Sequence, residues 1–566
     1  MRTGARYARI LPQPPLRVYA KTVLSAADPS ATPAARGDDT KALAKGGRTN
    51  FVGFLLRLMG RIPFLIIGGQ IYGAEALGRF AYATMIVELM AAVATLGLRR
   101  GIAAELAKEE RPATHVIGDA LLLGTSLALA GAAILIAVPE LLFPNSKISG
   151  LDRLFPLAAV FFVATEVLLA ALAYRHNVQA TVTARALIEP WAITIAAAGL
   201  ALVPEWRPDA LIISYAFAMF AALIAAMIPA LRMFGLPQAW RPRPRELFAL
   251  MRQNWPLAGA DAADWAMRRI DIIILGQFAA PAVLGVYYVA QQFASLPQKL
   301  KVTFDPVLAP VIAHGVRDGD LTGVAQQLRQ VGFWIISAQL GIALILGFTG
   351  EASMEVIGDG FGAGTGILFL LLGAEVLYVT AAVTEGALVY MARHRNLLVS
   401  LIALGAQVAM TVAFVASFAA LFPNVAADRP VQGIGAALAL ALAALLASVL
   451  KVALMHRLIP DPVSGWRWVF LPVTVATSAA GFASMTFLPP FWQLTVGLPV
   501  LLTIYGSLMW FFAFKGPDRL LFSKLSEAKG QEEEAEELGV PVPLGDVPTR
   551  SSPLPSSSSD GASSSS

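Results

Sequence analysis

The sequence predicts an all-α polytopic membrane protein of about 14 transmembrane helices, arranged as two six-helix lobes related by internal duplication plus two C-terminal helices. Of its 566 residues, 57% are hydrophobic and 14% are charged, whereas a soluble chain carries about 25% charged residues. Apolar stretches recur along the chain, each long enough to cross about 30 Å of hydrocarbon. Residues 61–89 also match residues 268–296 without a gap, at a constant offset of 207.

This internal match joins two predicted membrane-spanning hairpins. The residues shared by the two copies are Arg61, Ile66, Ile67, Gly69, Gln70, Leu77, Gly78, Ala83 and Leu89, which recur as Arg268, Ile273, Ile274, Gly276, Gln277, Leu284, Gly285, Ala290 and Leu296. Each copy therefore carries an arginine inside an apolar segment. Duplicated bundles with polar groups near the bilayer midplane are typical of alternating-access transporters, so the duplication favours a transporter.

Fourteen apolar segments are predicted as spans. All should be helices, because a backbone exposed to lipid must satisfy its own hydrogen bonds. In chain order the spans are 50–71, 76–98, 114–138, 154–174, 182–203, 208–231, 254–279, 281–304, 326–348, 366–391, 396–422, 432–455, 467–488 and 490–513.

The spans divide the chain into lobes, a linker and tails. The predicted segments are a disordered cytoplasmic tail (1–49), an N-lobe of six spans (50–232), an amphipathic cytoplasmic linker (233–252), a C-lobe of six spans (253–456), the last two spans (465–514) and a second disordered cytoplasmic tail (515–566). The linker carries Trp240 and several arginines, a composition that suits an anionic membrane surface. The last tail is acidic and then rich in Ser and Pro, so it cannot bury a core.

The distribution of lysine and arginine predicts the orientation. The even-numbered connections, together with the span ends that flank them, hold 17 of them: Arg99, Arg100, Lys108, Arg111, Arg175, Arg232, Arg241, Arg243, Arg245, Arg252, Arg317, Arg329, Arg393, Arg395, Lys451, Arg457 and Arg467. The odd-numbered connections and their flanking span ends hold 5: Arg79, Lys147, Arg153, Arg207 and Arg429. Because basic connections stay in the cytoplasm, we expect a multi-pass protein of the cell inner (cytoplasmic) membrane with both termini in the cytoplasm.

Ionisable residues inside the spans are candidates for function. Such residues are costly in lipid and usually face the bundle interior or an aqueous cavity. The basic candidates for binding a diphosphate are Arg57, Arg61, Arg268 and Lys299, and the candidates for ion coupling are Asp261, Asp264 and Asp271. Arginine suits phosphate because its planar donor pairs match the oxygens and its charge survives desolvation. We expect a cationic cavity between the lobes, lined by the first and seventh spans.

A purely structural role for these charges stays open. Arg268 could pair with Asp264 one turn earlier, and Arg57 with any nearby carboxylate. Isolated carboxylates occur within other spans, where interhelical hydrogen bonding is the expected role; they are Glu88, Glu166, Glu189, Glu375 and Glu385.

Composition excludes several other classes of site. The chain has no cysteine, which rules out disulfides, thiolate metal sites and cysteine nucleophiles. Its five histidines lack metal-ligand spacing. The net charge of +5 comes from arginines beside the membrane and does not indicate nucleic-acid binding. We therefore predict no metal, no cofactor, no catalytic residue and no nucleic-acid partner.

Residues 60–89 and 268–314 resemble polysaccharide-export flippases of the O-antigen flippase type. These belong to the multidrug/oligosaccharidyl-lipid/polysaccharide exporter superfamily. The quoted runs begin GRIPFLIIGGQIYGAEALGRF and RRIDIIILGQFAAPAVLGVYY. In that family an apolar span, a glycine-containing turn and an aromatic-containing span form the first hairpin. Gly73 to Phe80 and Gly276 to Tyr287 fit this pattern.

The resemblance implies a translocase for undecaprenyl-diphosphate-linked oligosaccharide. It would carry this lipid from the inner to the outer leaflet and feed O-antigen (lipopolysaccharide), capsule or exopolysaccharide assembly. The family's intramembrane basic residues correspond here to Arg57, Arg61 and Arg268, with Lys299 as a weaker match. The implied partners are the lipid-linked oligosaccharide, membrane lipids and other polysaccharide-assembly proteins. The two extra C-terminal helices resemble those of lipid-linked peptidoglycan precursor flippases.

Three alternatives are kept. A drug/cation antiporter of the same superfamily typically has twelve spans and acidic cavities, so arginines in both lobes disfavour it. A membrane enzyme of polysaccharide assembly needs sizeable external loops with acid-base residues, yet the longest odd-numbered connection, 349–365, has no histidine or lysine. A scaffold for a synthesis complex would act without the intramembrane arginines. We therefore predict that the protein is not an enzyme.

Overall fold

The computed structural model describes residues 59–515, except 149, 176, 422–429 and 460, together with residue 518. Every regular element within these residues is a helix, as predicted, and none of them is in a strand. Eleven of the described helices are long and apolar enough to cross a membrane. The prediction of an all-α polytopic membrane protein is thereby confirmed.

The first half of the described chain forms the N-lobe. Its helices are α1 (59–72), α2 (Gly73–Ala94), the short α3 (Leu98–Leu106), α4 (Ala113–Ala137), α5 (Asp152–Tyr174), α6 (Val178–Ala201) and α7 (Ala210–Phe234). Two of them contain π-helical turns, at Gly68–Tyr72 in α1 and at Val182–Ile188 in α6. The helices match the predicted second to sixth spans to within four residues at each end.

The second half forms the C-lobe and the last two helices. The C-lobe contains α8 (Pro244–Phe278), α9 (Pro281–Asp318), α10 (Leu321–Phe348), the short α11 (Gly350–Glu355), α12 (Thr365–Met391), α13 (Arg393–Leu421) and α14 (Val431–His456); α15 (Phe470–Phe487) and α16 (Pro490–Ala513) follow. Local sequence sets the boundaries. Gly319 ends α9 with a φ of +78°, and the Asp320 side chain accepts a hydrogen bond of 2.9 Å from the Gly323 amide to begin α10.

Helices α1 and α2 form the first predicted hairpin. Gly73 at their junction has a φ of +82°, a backbone conformation that favours glycine. Phe64 and Phe80 would be about 24 Å apart along one continuous helix, yet their ring centroids are 5.5 Å apart. The chain therefore reverses direction between them.

The predicted count of 14 spans stays a prediction. One of the eleven apolar helices, Met59–Ala94, contains both halves of the first hairpin. Helices α8 and α9 carry the predicted seventh and eighth spans but are not among the eleven. Charged residues in α8, and glutamines and tyrosines in α9, lower the hydropathy of their apolar stretches.

The duplication is visible where the two hairpins meet. Gly78 of α2 and Gly285 of α9 are equivalent in the repeat, and so are Ala74 and Pro281. A Cβ added to Gly78 would lie 1.8 Å from the Pro281 carbonyl oxygen, and one added to Gly285 would lie 2.0 Å from the Ala74 carbonyl oxygen. Such a reciprocal contact is what a two-fold relation between the copies produces. Only glycine permits the two helices to approach this closely.

Further contacts join the two lobes at the same end of the bundle. Gln70 donates from Nε2 to the carbonyl oxygen of Val356 at 2.9 Å, and Asn145 donates from Nδ2 to that of Gln277 at 3.2 Å. All four residues lie in or beside the predicted odd-numbered connections. The lobes therefore close against each other here, and we call this end of the molecule the sealed end.

Helix α8 connects the lobes at the opposite end. The second half of the predicted linker, 233–252, is not a separate amphipathic helix but the first part of α8. Buried Asn254 of α8 packs on Gly101 of α3, where an added Cβ would lie 1.7 Å from Asn254 Oδ1. Trp240 Nε1 donates to Asp119 of α4 at 2.9 Å. The start of α8 thus stays attached to the N-lobe. The domain boundaries themselves stay a prediction.

Candidate functional site

The C-lobe encloses a cavity of about 210 Å³. Its walls come from α8, α9, α10, α12, α13 and α14, so every long helix of the lobe contributes. The apolar wall is built largely of alanine. The polar side chains that line it are Arg268, Gln291, Gln298, Gln339, Glu375, Tyr378, Glu385 and Gln407. The sequence pattern had pointed to Arg268, whereas it gave no role to the four glutamines.

The cavity lies near the middle of the membrane-spanning region. Arg268, Gln291 and Glu375 are each ten residues from the end of their helix at the sealed end. At 1.5 Å per residue this places them about 15 Å deep, which is half of a hydrocarbon layer of about 30 Å. Arg268 is an exposed residue whose side chain lines the cavity. The structure thus places this predicted arginine in a polar hollow at mid-depth.

Among the side chains that the structure describes, the formal charges around the cavity are balanced. Arg268 is matched by Glu375 and Glu385, and Lys451 Nζ, 3.3 Å from Glu385, supplies a second positive charge. Glu375 also accepts a hydrogen bond of 2.5 Å from Gln298 Nε2. The expected cavity was cationic and lay between the lobes. The cavity that includes Arg268 lies inside the C-lobe and is close to neutral, because carboxylates from α12 offset its basic groups.

Arg61 lies in a different place from its repeat partner. Its side chain is exposed, and its electrostatic neighbours are Tyr288 of α9, Glu88 of α2 and Glu189 of α6. Polar groups from three other helices on its sides place it in the interior between the lobes rather than against lipid. Arg61 is not among the described residues that line the C-lobe cavity. Arg268 therefore lines this cavity without its repeat partner.

A chain of charges connects Arg61 to the C-lobe. Its neighbour Glu88 lies 3.6 Å from Arg269 Nη1 of α8. The Arg269 guanidinium lies 5.9 Å from the centre of the Trp265 ring. Arginine and carboxylate thus alternate across the boundary between the lobes. Any rocking of one lobe on the other would change the distance between Glu88 and Arg269.

The N-lobe holds a buried ion triad that the sequence analysis missed. Arg185 in the π-helical turn of α6 is 7% exposed. Its guanidinium donates to Glu166 of α5 at 2.6 Å and to Glu189 at 2.7 Å, and lies 4.4 Å from the Phe162 ring centre. π-Helical turns often occur at functional sites. A lone arginine near the start of a span with two glutamates nearby in sequence was the available signal.

The isolated glutamates have partners, as expected. Glu166 pairs with Arg185, Glu88 with Arg269, and Glu385 with Lys451. One expectation about a basic residue was wrong: Lys451 is fully buried in α14 rather than in a cytoplasmic connection. Its long side chain points into the lobe, because Glu385 there neutralises its charge. Lys451 therefore does not contribute a positive charge to a cytoplasmic connection.

The aspartates proposed for ion coupling are only partly described. Asp271 is fully buried and accepts a hydrogen bond from the Tyr287 hydroxyl. It does not line the cavity that Arg268 lines. The side chains of Asp261, Asp264 and Lys299, and the whole of Arg57, lie outside the described residues. The roles of all these residues stay predictions.

The described residues contain no group of three metal-ligating side chains that could hold a metal ion. The polar groups of the cavity are amides, two carboxylates, a phenol and a guanidinium. Such groups can bind a ligand by hydrogen bonds and charge.

Comparison with known families confirms the resemblance predicted from the two hairpins. A family described as "Polysaccharide biosynthesis protein" matches residues 49–316. This region includes both copies of the repeat. No curated protein matches the sequence.

Two solved structures share the fold over most of their length. The lipid II flippase MurJ in an inward closed conformation superposes with a TM-score of 0.61 at 13% identity, covering 81% of this chain and 99% of that chain. An inward-facing multidrug resistance MATE family transporter of the MOP superfamily gives a TM-score of 0.57 at 12% identity, covering 72% of this chain and 94% of that chain. The chain therefore has the polytopic helical fold of these transporters.

Proposed function

We propose that this protein is a flippase for undecaprenyl-diphosphate-linked oligosaccharide. It moves the lipid from the inner to the outer leaflet of the cell inner membrane, for O-antigen, capsule or exopolysaccharide assembly. The observation that carries the proposal is Arg268, which lines a polar cavity at mid-depth in a duplicated helical bundle. The family match and the fold shared with a lipid flippase support it.

The physical problem is a charged, hydrophilic headgroup on a lipid tail. A diphosphate in bare hydrocarbon costs many kcal/mol. Arg268 and Arg61 supply guanidinium groups that replace part of the lost hydration with directed hydrogen bonds. The tail stays in lipid while the head passes between the lobes.

The contacts at the sealed end indicate which side of the membrane the transporter is open to in this conformation. With the orientation that the basic connections predict, the sealed end faces the periplasm, and the cargo enters from the cytoplasmic side. Rocking of the lobes would then part the Gly78–Gly285 contact and release the head outward. We further propose that a cation gradient or the membrane potential drives the cycle, with Asp261, Asp264 and Asp271 as coupling groups. Transport that is insensitive to ionophores would contradict this coupling.

Complementation of a flippase-null strain tests the proposal. The wild-type chain should restore surface polysaccharide, whereas Arg268→Ala and Arg61→Ala should let lipid-linked repeat units accumulate on the cytoplasmic leaflet. Arg329→Ala is the matched control, because Arg329 is exposed near the start of α10 and away from the cavity. Normal export by the Arg61→Ala, Arg268→Ala double variant would contradict a flippase and favour a scaffold.

One observation favours a second candidate, a drug/cation antiporter. Glu375 and Glu385 place two carboxylates in the same cavity as Arg268, and carboxylates suit a cationic cargo. Binding assays with undecaprenyl diphosphate and with a lipophilic cationic dye separate the two functions. The flippase binds the diphosphate, and an antiporter binds the dye.

A further inference from the structure

We propose that the C-lobe cavity binds a neutral, hydroxyl-bearing ring of the cargo, namely the sugar next to the diphosphate. This inference rests on the proposed function and assigns a part of the substrate to a defined site. The residues that would hold the ring are Gln339, Gln407, Gln291, Gln298 and Glu375, all of which line the cavity.

Gln339 and Gln407, which line the cavity, each have one buried amide atom without a hydrogen bond. Gln339 is 3% exposed and donates from Nε2 to the Pro297 carbonyl oxygen at 2.9 Å, while its Oε1 has no hydrogen bond. Gln407 is 5% exposed, and its Nε2 has no hydrogen bond. Buried polar groups are nearly always hydrogen-bonded in proteins. Both residues line the cavity, so rotation of the two amides would offer one acceptor and one donor to a ligand that can itself both donate and accept.

A sugar hydroxyl meets that requirement. It carries one donor hydrogen and two acceptor lone pairs, as serine does. The amides of Gln291 and Gln298, seven residues apart on one face of α9, add further groups of the same kind. Alanines at 374, 443, 444 and 447 form an apolar wall against which the C–H face of a ring can pack.

Charge and size also favour a neutral ring. The carboxylates of Glu375 and Glu385 offset Arg268 and Lys451, so the cavity does not select strongly for either sign. Its volume is about 210 Å³, below the range of about 300–1,000 Å³ that is typical of pockets for drug-sized ligands. That space suits one ring rather than a whole repeat unit. Arg268 on the wall would lie where the adjoining phosphate emerges.

The two lobes differ in the polar side chains that their interiors contain. Gln291 stands at the repeat position of Thr84 in α2, which is 6% exposed. The N-lobe interior contains the buried Arg185 ion triad, whereas the C-lobe interior contains the cavity described above. At this equivalent position the C-lobe cavity carries a long amide, whereas the N-lobe carries a short hydroxyl side chain. This asymmetry assigns sugar recognition to the C-lobe.

Binding to the full chain in lipid nanodiscs tests the inference. The probes are undecaprenyl diphosphate and undecaprenyl diphosphate bearing one hexose. The wild-type protein should bind the hexose-bearing lipid at least about ten-fold more tightly. Gln407→Met and Gln339→Met, which keep the shape but remove the amide, should each weaken binding of the hexose-bearing lipid about five-fold. Neither variant should change binding of the sugar-free lipid.

The control and the outcomes separate the two proposals. Gln326→Met, at an exposed position of α10, should leave both affinities unchanged. Equal wild-type affinity for the two lipids, or an equal loss for both lipids in the variants, overturns sugar recognition in the C-lobe and leaves the flippase proposal standing. Wild-type protein that binds neither lipid overturns the flippase proposal itself. If one methionine variant fails to fold, the other carries the comparison.

Discussion

The close approach of Gly78 and Gly285 makes a sharp prediction about the conformational equilibrium. In Gly78→Ala the new methyl group would lie 1.8 Å from the Pro281 carbonyl oxygen, where ordinary contacts begin at 3.4 Å. Helices α2 and α9 must therefore separate by about 1.6 Å. Overpacking of this kind typically costs about 1–3 kcal/mol, and the whole cost falls on the state in which the sealed end is closed. We expect the closed population to fall about 5–150-fold relative to the open one.

Thiol crosslinking measures this shift directly, because the natural chain has no cysteine. Cysteines introduced by Gln70→Cys and Val356→Cys would lie on opposite lobes at the sealed end, where the native side chain and carbonyl are 2.9 Å apart. A short bifunctional thiol reagent should join them efficiently in the parent protein and poorly after Gly78→Ala.

The control for this experiment is Gly405→Ala on α13. An added Cβ there meets nothing within 4 Å, so the crosslinking yield should stay at the parent level. Unchanged crosslinking in Gly78→Ala, in a protein that is folded and has its normal melting temperature, would refute the idea that the glycine contact holds the lobes together.

Two further variants probe stability. Arg185→Leu should destabilise the protein by about 3–5 kcal/mol in unfolding assays, because Glu166 and Glu189 lose their buried partner; a change below about 1 kcal/mol would contradict this role. Burial alone would raise the pKa of Asp518, but hydrogen bonds from Arg467 and Gln330 outweigh it and hold this pKa below 3.8. The stabilisation is therefore present above pH 3.8 and is lost as the pH falls through the folded-state pKa. Asp518→Asn should lower the melting temperature by about 1–2 °C at neutral pH and reduce its acid dependence, and an unchanged profile would show that the pair contributes nothing.

The fold could be predicted from the sequence because lipid imposes a simple rule on it. A backbone in hydrocarbon must be helical, so the apolar stretches marked most helices to within a few residues. The turn between α1 and α2 was predictable too, because Gly73 separates two apolar runs and adopts a φ of +82° where the chain reverses. Residues 233–252 were predicted to form a separate amphipathic helix, but residues 244–252 continue directly into the seventh span as α8, because hydropathy does not show where a helix outside the membrane joins one inside it.

The site was predictable only in part. Arg268 was found because a charge in an apolar segment recurs at one repeat position. The glutamines were missed because a single neutral amide barely changes the hydropathy of a span, and the sequence does not say which faces of six helices converge. The spacing of Gln291 and Gln298 on one face of α9 was the available signal. Lys451 was misplaced because a lysine near a helix end usually extends to the interface, whereas Glu385 holds this one inside.

Translocation by the purified protein tests the central claim most directly. Sealed vesicles would contain the full chain and a fluorescent undecaprenyl-diphosphate oligosaccharide, and a quencher that does not cross the membrane would report the labelled lipid in the outer leaflet. We expect the wild-type chain to make nearly all of the labelled lipid accessible over time, and Arg268→Ala to leave the inner-leaflet half protected. A wild-type chain that leaves this lipid protected as well as protein-free vesicles do would contradict the account.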